Sequence, residues 1–128
     1  MDYSMLRFRR SLQALAAPAD VQLQLVPDYL WGVDELAIEF DQWFQVIKRR
    51  RTIFSKKQRS ILEDLNKKLD DISGPENLRY WMEDTVRSDI AWEDIRNLAR
   101  NALDAMGWPH QEPLKKPSKI PVQTSYGE

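Results

Sequence analysis

Apolar residues recur at helical spacing along most of this chain, and no other feature constrains its fold as strongly. They fall at every third or fourth position from Val33 to Ile47, from Ile61 to Ile72 and from Trp92 to Met106. Such a stripe buries one face of an α-helix and leaves the opposite face in water. Amphipathic helices with short connections must bury their stripes against one another. The sequence therefore predicts an all-α fold, an antiparallel bundle of three to five helices.

Residues that begin helices stand at the edges of these stripes. Asp34 is placed to cap the first long helix, and its carboxylate would accept a free amide of the first turn. Ser55 and Gln58 form the capping-box pattern at the start of the second. Ser88 or Asp89 is predicted to cap the last long helix.

The remaining segments carry weaker signals. Residues 1–17 predict a short amphipathic helix, and residues 19–31 are expected to be mainly helical. Within the latter, Pro27 fits the first turn of a helix that contains Tyr29 to Trp31. Residues 76–90 have apolar side chains without a clean period, which predicts a loop or a short helical turn.

The composition of the chain changes after Gly107. Prolines recur at every fourth residue from Pro109 to Pro121 among Lys, Gln and Ser, a pattern that excludes a helix. We therefore divide the 128 residues into a helical bundle domain at 1–107 and a Pro-rich extended tail at 108–128, which is either disordered or an extended strap. One core is what a chain of this length supports.

Composition excludes several classes of function. The chain has no cysteine, and its four glycines are too far apart for a phosphate-binding loop. Its single histidine, His110, lies among prolines, and a Pro-rich segment does not hold a catalytic base in a fixed position. We therefore expect no enzyme activity, no cofactor and no metal site. No apolar run approaches the roughly 20 residues of a membrane span, so we expect a cytoplasmic protein without a membrane partner.

Charge is segregated along the chain although the formal net charge is only −1. Residues 20–41 hold six acids and no base, residues 48–59 hold seven bases and no acid, and residues 76–94 hold six acids against two arginines. Blocks of like charge usually form solvated faces, and they also steer oppositely charged partners.

The acidic segment around residues 70–84 is the predicted partner-binding site. Carboxylates on a rigid frame attract a basic protein, and adjacent aromatic rings can anchor it. The alternative, that the two aromatic rings close the bundle and the acids are merely solvated, stays open. The predicted residues are Asp70, Asp71, Glu76, Tyr80, Trp81, Glu83 and Asp84.

The basic run supports a rival prediction, nucleic-acid binding, because its cations could neutralise several phosphates. Its members are Lys48, Arg49, Arg50, Arg51, Lys56, Lys57 and Arg59. Against it stands the shortage of aromatic residues for base stacking, since only Phe54 lies within the run. A helix C-terminus followed by a solvated turn would carry the same charges without any ligand. A third alternative is a scaffold protein whose Pro-rich tail docks on a partner.

The order of elements between residues 28 and 106 carries a family resemblance. Its residues are Tyr29-Leu30-Trp31-Gly32, then Val33-Asp34-Glu35-Leu36 opening a helix with Phe40 and Trp43-Phe44, and later Glu93-Asp94-Ile95-Arg96 with Ala99 to Leu103. This pattern of helices and spacings resembles helical bacterial immunity proteins of the colicin D immunity type. The basic run and the Pro-rich tail are not part of that pattern.

The resemblance implies a cytosolic four-helix protein that binds a cognate toxin domain, often an RNase that cuts tRNA, and masks its basic cleft with acidic side chains. Together with the charge pattern, it predicts a non-catalytic, stoichiometric inhibitor. Such an immunity protein would neutralise a toxin, for example a nuclease, by occluding its active site.

Overall fold

The structure, a computed structural model, describes residues 1–27, 32–50 and 52–114. Within those ranges every regular element is helical, which confirms the predicted all-α fold class. Four long helices there form the bundle, and three short helical segments connect them. In chain order the elements are α1 (Tyr3–Ala16), α2 (Ala19–Leu25), α3 (Asp34–Ile47), α4 (Lys56–Asp71), the 3₁₀ helix Pro75–Trp81, α5 (Glu83–Ser88) and α6 (Ile90–Met106).

Two predicted helix starts are confirmed by their hydrogen bonds. The Gln58 amide donates to the Ser55 hydroxyl at 3.1 Å, and the Ser55 amide donates to the Gln58 side chain at 2.8 Å, which completes the capping box of α4. The Asp89 carboxylate caps α6 by accepting from the Ala91 amide at 2.8 Å. Helix α6 ends at Gly107, whose φ of 72° is left-handed and suits glycine.

The prediction that Asp34 caps α3 is wrong, because the helical turn begins before it. Val33 already has helical backbone angles, and no side chain caps the helix. The Glu35 amide donates to the Gly32 carbonyl and the Leu36 amide to the Val33 carbonyl, each at 3.1 Å. Asp34 and Glu35 instead place negative charge in the first turn, where the helix dipole favours it.

The segment between α4 and α6 is helical, although its apolar residues lack the α-helical period. A 3₁₀ helix has three residues per turn, so a stripe spaced for 3.6 residues is absent there. The Thr85 hydroxyl donates to the Arg79 carbonyl at 2.7 Å and ties α5 to the 3₁₀ helix. The Trp92 indole N–H donates to the Tyr80 carbonyl at 2.7 Å, which fixes the 3₁₀ helix on α6.

Helix α1 packs on α3, and the two run antiparallel. Tyr3, at the start of α1, lies with its ring 5.7 Å from the ring of Trp43, near the end of α3. Further along α1, Arg10 donates to the Glu39 carboxylate at 3.0 Å, in the middle of α3. The start of α1 therefore lies beside the end of α3.

Helix α6 packs on both α1 and α4, and it runs antiparallel to each. Arg100 within α6 donates to the Ala16 carbonyl at the end of α1 at 3.0 Å. The Gln58 side chain, in the first turn of α4, donates to the Ala105 carbonyl near the end of α6 at 2.9 Å. Alternate long helices therefore point in opposite directions. One end of the bundle collects the start of α1, the end of α3, the start of α4 and the end of α6.

The first part of the tail runs back along α1 without regular secondary structure. The Trp108 ring lies 6.3 Å from the ring of Phe8. Gln13 donates to the Pro109 carbonyl and Arg10 to the Leu114 carbonyl, each at 3.1 Å. Over these residues the tail is a strap held by α1.

Three predictions fall outside the described residues. They are the helix containing Tyr29 to Trp31, the contribution of Arg51 to the basic run, and the course of the tail over residues 115–128.

A buried polar network joins α2 to α1 and α6. The Gln22 side chain is fully buried, and its amide group donates to the Leu15 carbonyl at 2.9 Å and to the Ala14 carbonyl at 3.3 Å. Its oxygen accepts from the guanidinium of Arg96, which is 9% exposed, at 2.8 Å. Burial lowers the pKa of Arg96 because it disfavours the charged form, and the hydrogen bond to Gln22 offsets part of that cost.

Replacing Gln22 with leucine should therefore destabilise the fold by about 2–3 kcal/mol, because it removes an acceptor from a buried cation and the donor to two buried carbonyls. The measurement is the free energy of unfolding in urea. Gln24→Leu is the matched control, since Gln24 is exposed on the same helix. Equal stabilities of the two variants would contradict this role of the network.

Candidate functional site

The five predicted acidic residues lie at one end of the bundle. Asp70 and Asp71 end α4, Glu76 lies in the 3₁₀ helix, and Glu83 and Asp84 form the first turn of α5. All five are exposed. We call these five residues, together with Asp34 at the start of α3, the acidic end.

The carboxylates of the acidic end are scarcely neutralised. Within the described ranges, Asp71 has an ion pair with Lys67 at 3.3 Å, and both side chains are more than half exposed, so the pair contributes little. Asp70, Glu83 and Asp84 make no ion pair in the described part of the chain.

Both arginines of this segment are engaged elsewhere, which explains why the acids stay uncompensated. The guanidinium of Arg79 lies 4.1 Å from the centre of the Tyr80 ring and donates to its hydroxyl at 2.7 Å. Arg87 pairs with Asp20 on α2. The negative field of the acidic end is therefore open to a partner.

Trp81 belongs to the core, one of the two roles that the sequence left open. Its side chain is 5% exposed, and its indole N–H donates to the Ile72 carbonyl at 2.9 Å. Its ring meets the ring of Trp92 edge-on at 5.4 Å. Its ring therefore does not protrude from the surface as an anchor for a partner. Tyr80 is half-buried under Arg79, so neither ring is the freely exposed anchor that the sequence predicted.

An apolar groove beside the acidic end is a feature that sequence reasoning missed. The groove is open, has a volume of about 220 Å³, and lies between α3 and the 3₁₀ helix. Ile38 and Leu78 contribute large side chains to it and are 53% and 49% exposed. Its lining residues are Asp34, Ala37, Ile38, Ser73, Gly74, Leu78 and Trp81. The available signal was Ile38, an isoleucine outside the apolar stripe of α3.

Two carboxylates flank this groove. Asp34 lines the groove directly. Its burial is the larger cause of a raised pKa, and the nearby charge of Glu35 raises the pKa of Asp34 further. The Glu76 carboxylate folds over Gly74, where a side-chain carbon would lie only 2.7 Å from its Oε1 atom. Because Gly74 also has a φ of 104°, a residue other than glycine would be strained there. The groove therefore combines an apolar floor with negative charge, which suits a long basic side chain or an apolar residue with basic neighbours.

The described residues lack the features of a metal site and of a membrane span. The described residues contain no group of three or more histidine, aspartate or glutamate side chains that could hold a metal ion. None of the helices in the described ranges combines the length and apolar character that crossing a bilayer requires. His110 lies on the strap, is exposed, and has its Nε2 atom 2.8 Å from a carboxylate oxygen of Asp104.

Comparisons of the chain with protein-family models, with curated proteins and with solved structures found no match.

The raised pKa of Asp34 gives a testable dependence of stability on pH. A carboxyl whose folded pKa lies above the unfolded value of 3.8 stabilises the fold when protonated, and this contribution is lost as the pH rises through the folded pKa. The variant Asp34→Asn should therefore gain stability relative to the wild type as the pH rises above 3.8, and keep that gain at higher pH.

The measurement is urea unfolding of both proteins from about pH 3 to about pH 7, with the Asp34 carboxyl titrated by NMR. A titration midpoint at or below 3.8 would contradict the burial of this group in the groove.

Proposed function

We propose that this chain is a non-catalytic inhibitor that binds a basic protein with its acidic end, as an immunity protein does with a toxin. The observation that carries the proposal is a set of exposed carboxylates with little neutralising charge, which lie beside an open apolar groove on helices at one end of the bundle. The resemblance to immunity proteins of the colicin D type supports the same function. In such a pair the carboxylates would occupy positions that the toxin uses for substrate phosphates.

Charge supplies the first step of this mechanism. Opposite potentials on two proteins speed their encounter by roughly 10-fold to 10³-fold at low salt. The acidic end can act in this way because Arg79 and Arg87 are held by Tyr80 and Asp20 rather than by its carboxylates. Association should therefore slow as salt is added.

The groove supplies the second step, which is retention. Ile38 and Leu78 each leave about half of the side chain exposed, so a partner can bury them without rearranging the bundle. Apolar burial at the centre of a polar rim is the usual composition of an interface hot spot. The partner we expect presents an apolar or long basic side chain to the groove, with lysines or arginines around it.

The role of charge in association is tested by reversing the charges of Glu83 and Asp84. The double variant Glu83→Lys/Asp84→Lys should slow association with the basic partner by about 10-fold or more at low salt. The matched control is Glu63→Lys/Asp64→Lys, an adjacent pair of the same composition, exposed in the middle of α4. It changes the net charge equally but should leave the association rate within about twofold of the wild type.

The partner for this measurement is captured with the wild-type and variant proteins as baits in parallel. Formation of a one-to-one complex between the captured protein and the wild-type chain then confirms that it is the partner. Stopped-flow fluorescence then gives the association rate. An equal association rate for both double variants, or a partner that is not basic, would remove the acidic end as the binding surface.

Substitutions in the groove should change the dissociation rate rather than the association rate. Ile38→Ser and Leu78→Ser should each speed dissociation about fivefold, because each loses about 1 kcal/mol of apolar burial. Their association rates should stay close to that of the wild type. Val46→Ser, which removes an exposed apolar side chain at the far end of α3, is the control. Unchanged dissociation rates for both groove variants would place the partner elsewhere.

A further inference from the structure

The end of the bundle opposite the acidic end carries a dense cluster of cations. Three of them follow α3, and three lie in the first turn of α4. All six are exposed. We call this cluster the basic end; its members are Lys48, Arg49, Arg50, Lys56, Lys57 and Arg59.

Few acids lie near this cluster. Asp2 precedes α1 and pairs with Arg50 at 2.7 Å, and Asp104 near the end of α6 has its carboxylate 2.8 Å from His110. Within the described residues Lys56 and Lys57 make no ion pair. Both lie in the first turn of a helix, where the dipole disfavours cations. These lysines therefore lower the stability of the free protein slightly, and a bound anion would offset that loss.

The backbone that carries the cations is held in place by the core beneath it. Phe54, 8% exposed, lies in the connection between α3 and α4 with its ring 6.0 Å from that of Phe8. The capping box of Ser55 and Gln58 fixes the start of α4, and Gln58 also bonds to α6. A partner would therefore meet cations that are carried on a fixed backbone.

The bundle also brings an exposed aromatic ring to the same end. Tyr3 is 65% exposed and follows Asp2, the residue that pairs with Arg50. Its ring packs edge-on against Trp43, with an interplanar angle of 82°. The guanidinium of Arg7 lies 5.9 Å from the centre of the ring. The charge pattern of the basic run did not indicate this ring, because Tyr3 belongs to a different helix.

We propose that the basic end binds single-stranded nucleic acid, with the phosphates on the lysines and arginines and a base stacked on Tyr3. Cations beside an exposed aromatic ring are the combination that holds single strands. The basic residues lie on the connection after α3 and in the first turn of α4, and the exposed ring at the same end favours stacking with an unpaired base over reading of a duplex groove. This activity goes beyond the proposed inhibitor function. Because it uses the opposite end of the bundle, both partners could be bound together.

The test is fluorescence anisotropy of the full chain with labelled single strands of about 12 nucleotides, as RNA and as DNA, at about 50 mM salt. Binding to at least one strand should weaken as salt rises. Lys56→Gln/Lys57→Gln should weaken binding and reduce the slope of log K against log salt by about 0.7 for each phosphate that is no longer neutralised. Tyr3→Ala should weaken binding about fivefold or more, with a smaller effect on the duplex of the same sequence.

The matched control is Lys67→Gln/Lys68→Gln, which removes two lysines from the other end of the same helix and should bind as the wild type does. Far-UV circular dichroism should show unchanged helix content in every variant, since none of the substituted side chains is buried in the core.

Three results would each overturn the proposal. They are no binding of either strand at low salt, equal effects of the two double-lysine variants, and a Tyr3→Ala variant that binds single strand and duplex like the wild type. Binding of vesicles rich in phosphatidylserine without binding of oligonucleotides would also overturn it, and would indicate a membrane surface as the partner.

Discussion

The burial of α1 between α3 and α6 is the constraint on which the rest of the structure depends. Phe8 at its centre is fully buried, and its ring lies within about 6 Å of the rings of Phe40, Phe44, Phe54 and Trp108. Those partners come from α3, from the connection before α4 and from the strap after α6. One aromatic side chain thus fixes which helix ends lie together.

Antiparallel packing converts the charge blocks of the sequence into two ends of opposite charge. The acids after α4 and at the start of α3 meet at one end, and the bases after α3 and at the start of α4 meet at the other. A net charge of −1 conceals this separation entirely. The two ends offer separate surfaces for partners of opposite charge, which is why both proposals can hold for one small domain.

The helices were predictable from the sequence because their signals are local. The capping box at Ser55, the cap at Asp89 and the stop at Gly107 all depend on residues within a turn of each other. Asp34 failed as a predicted cap because Val33 before it already has helical backbone angles and the carbonyl of Gly32 accepts the first hydrogen bond, features that no side-chain pattern records.

The candidate surfaces were only half predictable, since they depend on contacts between distant segments. The exposed acids could be found from the charge pattern alone. The core position of Trp81, the groove between Ile38 and Leu78, and the place of Tyr3 beside the cations could not. Each of these is set by how one helix packs on another, and the apolar period of a helix specifies a buried face without naming its neighbour.

The most direct test of the account is amide hydrogen exchange of the chain with and without its protein partner. We predict slowed exchange in residues 34–38 and 73–84 on binding, with the exchange of residues 52–59 unchanged. Slowed exchange confined to residues 52–59, or a complex in which residues 73–84 exchange as fast as in the free chain, would contradict the claim that this protein acts by covering another one with its acidic end.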